Sequence, residues 1–363
     1  MKTFFCDKIY NITMNFEGRF YMKEKILIGG YTRRESAGVY SIILDTEKEE
    51  LSNLLPFAAI QNPTYLAVSE KNRLYTCAAD ENGGGIGAFQ INTTSTEHLG
   101  NVTSTGAPLA HVFIDEKRQL VYGSNYHLGE LRVYKIESNG SLTLVDSIKH
   151  QGAGPRPEQA SAHIHYAGLT PDQRVVTCDL GTDEVTVYNV NEEGLLTLVS
   201  LYRAGDGTGA RHLVFHPNDK TAFLAGELNS TVEVLSYNAE TGKFSLLQTL
   251  STLPDDFTGK NNVGAIRLSS DGNYLYISNR GHDSIAIYKV SPLGTKIHLL
   301  GFVSTEGQTP RDFNFSKNED FLIVANQDSD NLTLFRRSKA DGTLTLVQKD
   351  VYSPEGTCVL PLH

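Results

Sequence analysis

The chain contains no tryptophan and only three methionines, and its four cysteines stand far apart, at positions 6, 77, 178 and 358. So few and so scattered in 363 residues, they argue against a disulfide framework and point to a reducing, cytoplasmic setting. Basic residues never run more than two together and the formal net charge is −10. Nucleic acid needs a basic face, so it is not the expected partner. No apolar run approaches the roughly 18 residues of a membrane helix, so no membrane association is expected. Asp7, Lys8, Glu17 and Arg19 interrupt any hydrophobic stretch at the N-terminus, which therefore does not read as a signal peptide. Amphipathic helical periodicity is missing as well. Hydrophobic residues nevertheless make up 40% of the chain, enough for a folded core.

What fills the sequence is a repeat. Short alternating strands recur around Tyr40, Phe89, Tyr134, Tyr188, Leu235, Tyr288 and Phe335, spaced 45 to 54 residues apart. A second marker, a polar turn between two apolar strands, recurs in phase: LAVSEKNRLYTC, VFIDEKRQLVYG, AGLTPDQRVVTC, LVFHPNDKTAFL, IRLSSDGNYLYI and FNFSKNEDFLIV. A third marker closes several units, as in GSLTLV, GLLTLV, GKFSLL and GTLTLV. Each unit reads as four strands with turns rich in Gly, Asn and Asp. Seven such units of this period predict an all-β, seven-bladed β-propeller with four antiparallel strands per blade. The N-terminal unit starts at KILIGGYT, one strand late. Its missing inner strand is expected from the C-terminal TCVLPL, which closes the ring and hides the open edges. The predicted domain is 22–363. Residues 1–21 fall outside the repeat and read as an N-terminal extension without regular structure. A monomer or weak homo-oligomer is expected.

Positions equivalent across blades serve as internal controls. Just before the inner strand the residues are Thr64, Ala110, His165, Arg211, Gly264 and Arg311, and the next position adds His111, Tyr166, His212 and Asp312. After the second strand they are Tyr31, Ala79, Tyr126, Leu180, Glu227, Arg280 and Gln327. Glu227 shares its blade with Arg211, His165 comes from the preceding blade and Arg280 from the following one. Converging His, Glu and two Arg suits an anion site with an acid/base pair, against the plainer reading of a solvated rim of ion pairs. An imidazole at 165 would ordinarily titrate near pH 6–7. His163-Ile164-His165 has a metal-like spacing, but no carboxylate-rich set accompanies it, so no metal and no cofactor are expected. Gly83–Gly85 lacks the Lys-Ser/Thr of a phosphate loop and reads as a hairpin. Cys77 and Cys178 occupy a position held elsewhere by Gly, Ser or Ala, so they read as packing residues. No nucleophile-elbow serine motif is present.

The segments GARHLVFHPNDKTAFLAGELNSTVEVLSYN, SAHIHYAGLTPDQ and LSSDGNYLYISNRGHDSIAIYKV resemble the bacterial lactonase family of seven-bladed propellers, whose named activity is 6-phosphogluconolactonase and which is related to the fungal carboxy-muconate cyclase. The resemblance spans roughly residues 25–361. It implies a metal-free lactone hydrolase of carbohydrate metabolism, in the pentose phosphate pathway, acting on a small anionic sugar lactone. It also implies that His165, Arg211, Glu227 and Arg280 are catalytic. His163, His212, Arg311, His111 and Asn279 are the accompanying candidates for substrate binding. Ala210 departs from the proline common in relatives, yet the functional side chains beside it are kept. Two other readings stay open at this level: a cycloisomerase of a carboxy-muconate type substrate, and a propeller that binds a ligand or protein without chemistry.

Overall fold

A computed structural model describes residues 20–362 and the pair Thr13–Met14, with side chains from Met22 onward. The reading of 1–21 as an extension falls outside the described residues, except that Thr13 and Met14 pair with Tyr21 and Phe20. The rest forms seven four-stranded antiparallel sheets. Among the described residues the only helical element is a single 3-10 turn, Pro157–Gln159.

Each sheet is a meander, as in His111–Asp115, Leu120–Asn125, Glu130–Ile136 and Leu142–Lys149. The second strand of a blade is covered on both faces by neighbouring blades, so it reads as a continuous buried run, as in Phe321–Asn326. The outermost strand is reached by water and mixes polar with apolar residues, as in Leu142–Lys149. The core is correspondingly divided. Seven apolar clusters each join two adjacent blades, and one of them packs Ile26, Ile28 and Ile42 of the first blade against Ile323, Leu332 and Leu334 of the last.

The ring closes as the repeat phase requires. Gly356–Pro361 is the inner strand of the first blade, pairing with Lys23–Gly30 in the register Ile26 to Pro361 and Ile28 to Val359. It packs against the inner strands of the second and seventh blades, Leu66–Val68 and Pro310–Phe315.

A recurrent irregularity positions the site. Pairing between the first two strands of a blade skips one residue between Ile164 and Tyr166, between Ala210 and His212, and between Pro310 and Asp312. The skipped residues are His165, Arg211 and Arg311. In the first blade Gly30 faces Gly356 while Gly29 faces Cys358, which leaves Thr357 unpaired. In the sixth blade Gly264 and Ala265 are skipped. Such bulges bend a strand and re-aim the extra side chain. Here they bring His165, Arg211, Arg311 and Thr357 together at one mouth of the ring.

Candidate active site

Arg211 is the centre of this arrangement. The bulge after Ala210 points it inward, where it is 2% exposed. Its Nε donates to the Gly264 carbonyl at 2.8 Å and its Nη1 to Glu227 Oε2 at 3.1 Å. The same Nη1 contacts the His165 ring. A Cβ on Gly264 would lie 2.8 Å from the Pro310 carbonyl oxygen and 3.0 Å from that of Arg311. Glycine there lets the bulges of the sixth and seventh blades approach each other while its carbonyl holds Arg211.

Glu227 follows the strand Thr221–Gly226. Its backbone is tied on both sides, N–H to the Gly209 carbonyl at 2.9 Å and carbonyl to the Val263 N–H at 3.1 Å. The carboxylate therefore has a fixed origin between the fifth and sixth blades. Its Oε1 meets Arg280 Nη2 at 2.8 Å, and that same Nη2 donates to the Val263 carbonyl at 2.8 Å. Arg280 Nε is buried with no hydrogen-bond partner. Arg311 donates to Gln327 Oε1 at 3.3 Å and has no carboxylate partner among the described residues.

The electrostatics follow from burial and this excess of guanidinium. Burial depresses Arg211 to about 9, although Glu227 works against the shift. Burial pushes the Glu227 carboxyl up, but the charges of Arg280, Arg211 and Arg311 outweigh it, so the net shift is downward and the group is ionised. His165 is driven well below its ordinary value by burial and then by Arg211, Arg311 and Arg280. The geometry agrees. Arginine only donates, so the ring nitrogen it meets carries no proton. The expectation that His165 titrates near pH 6–7 is thereby corrected: a neutral imidazole in a cationic site stays neutral to much lower pH.

These side chains line a cavity of 990 Å³ that also takes in Tyr31, Arg33, Tyr126, His212 and Thr357. Of the nine candidate residues, His165, Arg211, Glu227, Arg280, Arg311 and His212 meet here. Three do not line it. Asn279 is fully buried and spent on structure, donating to the Thr252 carbonyl at 2.6 Å and accepting from Thr252 Oγ1 at 2.8 Å. His111 lies deeper in the channel between Tyr65 and Tyr166, with ring centroids 4.1 and 4.7 Å away, and faces a separate cavity. His163 stacks on Tyr126 at 4.4 Å and its Nδ1–H donates to the Tyr126 carbonyl at 2.8 Å, so it packs behind a tyrosine that lines the cavity. Among the described residues no three His, Cys, Asp or Glu gather as a metal site would require. Cys77 and Cys178 are wholly buried in apolar clusters. Thr357 and Arg33 line the cavity without being among the nine candidates. Thr357 is the seventh copy of the position held by Thr64, Ala110, His165, Arg211, Gly264 and Arg311, recognisable once the closing strand is aligned with the other six. Arg33 lies in a loop with no counterpart among the repeats.

The family "Lactonase, 7-bladed beta-propeller" matches residues 25–361. A Lactococcus lactis protein is 67% identical over 94% of this chain and 100% of its own. The 6-phosphogluconolactonase of Bacillus subtilis is 40% identical over 93% of this chain and 97% of its own. A crystal structure of a Lactobacillus plantarum protein superposes with a TM-score of 0.93 at 47% identity, covering 94% of this chain and 100% of that one. The Pseudomonas aeruginosa periplasmic gluconolactonase does so at 0.88 and 26%, covering 94% and 99%. With its seven blades, its bulged inner strands and a match along almost its whole length, this chain belongs to the lactonase family of seven-bladed β-propellers.

Proposed function

We propose that the protein hydrolyses a sugar lactone bearing an anionic group, 6-phosphogluconolactone before others, giving 6-phosphogluconate in the cytoplasmic pentose phosphate pathway. The observation that carries this reading is the uncompensated guanidinium of the cavity: Arg280 Nε lacks a partner and Arg311 lacks an acid, in a chain whose net charge is −10. The 40% identity to the Bacillus subtilis 6-phosphogluconolactonase supports the same choice of substrate.

Lactone opening needs a nucleophilic water, a proton acceptor, and donors for the oxyanion. Glu227 is ionised and faces the cavity, so it takes a proton from water as the oxygen attacks the carbonyl carbon. Arg211 and Arg280, held on either side of Glu227, donate to the carbonyl oxygen as its charge grows. The ring C–O bond then breaks, and the proton held on Glu227 passes to the departing ring oxygen. Anionic substrate cancels part of the surrounding positive field, which raises the basicity of Glu227 when it is needed. His165 holds Arg211 from below.

The test is hydrolysis of freshly prepared 6-phosphogluconolactone, corrected for spontaneous opening, with the wild type and with Glu227→Gln. Rapid turnover in the wild type and a loss of about 10²–10⁴ in kcat in the variant are expected. No hydrolysis above background with the wild type would defeat the proposal.

A further inference from the structure

The cavity is not uniformly cationic. Near Glu227 the guanidiniums of Arg211 and Arg280 share one carboxylate. Across the mouth, the first and last blades hold a second cationic pair. Arg33 places its guanidinium carbon 3.7 Å from the Tyr31 ring centre, and Arg311 places its own 5.5 Å from the same ring. Burial, with the charges of Arg280 and Arg33 added to it, disfavours the charged form of Arg311, and among the described residues neither Arg33 nor Arg311 has a carboxylate at ion-pairing distance. Two like charges gathered around one aromatic ring at the cavity, with no acid paired to either, call for an anion from outside.

The loop that carries Tyr31 and Arg33 is built rather than loose. Glu355, 3% exposed and with φ 51°, accepts from the Arg33 N–H through Oε1 at 3.1 Å and from the Arg34 N–H through Oε2 at 2.8 Å. Its carbonyl takes the Tyr31 N–H at 3.2 Å. On the other side Thr32 and Asn62 exchange hydrogen bonds of 3.3 and 3.2 Å. Arg34, by contrast, is already engaged, 2.7 Å from Asp330. The segment that closes the ring therefore also fixes a loop that presents one spare guanidinium to the cavity.

We propose that Arg33 and Arg311, gathered on Tyr31, form a subsite for a terminal phosphate, and that Arg33 sets the preference for phosphorylated over unphosphorylated lactones. The inference rests on the lactonase reading for its substrate, yet the anion subsite has its own readout. A phosphate held at this end leaves the other end of the molecule to the Glu227 side of the cavity. Glu355 is a positioning residue, acting through the backbone of the Arg33 loop.

The experiment uses Arg33→Ala and Arg33→Lys in the full chain. The Arg33 side chain is exposed, so its removal leaves the fold intact. Calorimetric titration with 6-phosphogluconate and with gluconate reads the subsite without any turnover. Expected is a weakening of 6-phosphogluconate binding by about threefold to tenfold in Arg33→Ala, partial recovery in Arg33→Lys, and no change for gluconate. In turnover the same factor should appear in KM for 6-phosphogluconolactone alone, with kcat unchanged. Equal effects on both ligands, or none on either, overturn the subsite, as does a wild type that binds 6-phosphogluconate no better than gluconate. A wild type that binds 6-phosphogluconate through Arg33 but opens no lactone would retain the subsite and reject the lactonase reading.

Discussion

Glu227 Oε2 lies 3.1 Å from Arg211 Nη1, and the two residues come from the same end of one antiparallel strand pair, the bulge of the inner strand and the turn after its neighbour. The side chains are 13% and 3% exposed, so the contact is largely shielded from water. Removing the carboxylate leaves Arg211 and Arg280 facing each other without an acid. Glu227→Gln should therefore lose stability as well as turnover, by about 1–3 kcal/mol, the buried-pair figure reduced because the cavity is open to solvent. Added phosphate should restore the melting temperature of this variant more than it raises that of the wild type. A thermal scan with and without phosphate measures both.

The buried histidines predict a pH dependence of stability. Burial, then Arg267 and Arg211, holds His111 down to about 3, while His165 and His212 are driven well below their ordinary values, chiefly by burial. Each folded value lies below the free value of about 6.5, so the unfolded chain binds more protons in the acid range. Stability is then complete above about pH 6.5 and falls as pH drops below it, each histidine adding up to about 1.4 kcal/mol per pH unit. Glu227, with its depressed value, adds a loss of the same sign at lower pH. Urea unfolding at pH 7.5, 6.5 and 5.5 should show the slope, and His111→Phe should reduce it by one histidine's share. Lactone turnover should show no inflection near pH 6–7 from His165.

The blade count, the four-strand unit and the closing strand were legible because each blade repeats the same burial pattern. Glu227 and Arg280 stood out because the equivalent position in the other five blades carries no charge. What stayed hidden depends on contacts between blades. Asn279 looked functional beside Arg280, yet alternation along the strand sends it to the opposite face, where Thr252 takes both ends of its amide. His111 lies in an unbulged part of its strand, opposite Ser124, where its ring packs between Tyr65 and Tyr166 and not in the cavity. Arg33 acquires meaning only because Glu355, more than three hundred residues away in the chain, fixes its backbone.

Arg280 and Arg311 should fail differently. Arg280 is paired with Glu227, the base in the proposed hydrolysis, so Arg280→Ala should lower kcat/KM for phosphorylated and plain lactones alike, by about 1.5–3 kcal/mol or roughly tenfold to a hundredfold. Arg311 stands apart from Glu227, against Gln327 and Tyr31. Arg311→Ala should penalise only the phosphorylated substrate. Steady-state kinetics on the two lactones separate the cases, and a selective loss in Arg280→Ala would move the phosphate to the Glu227 side.

Ring closure gives the last prediction. Deleting residues 355–363 removes the inner strand of the first blade and leaves Lys23–Gly30 with one edge unpaired. It also takes Val359 from the cluster shared by the first and seventh blades and Cys358 from that shared by the first and second. Each lost apolar side chain costs about 1.5–3 kcal/mol, before the unsatisfied backbone is counted. Asp312 loses the Val359 N–H, which it accepts at 2.9 Å while paired with Arg267 at 2.8 Å, so a buried ion pair is opened as well. The exposed edge is a template for pairing with another chain. The truncated protein should therefore aggregate, or melt well below the wild type, and should lose the Arg33 loop together with Glu355. Size-exclusion chromatography and thermal melting decide the matter: a monomeric truncation with unchanged melting would show that the ring is held by the packing between blades and not by its closing strand.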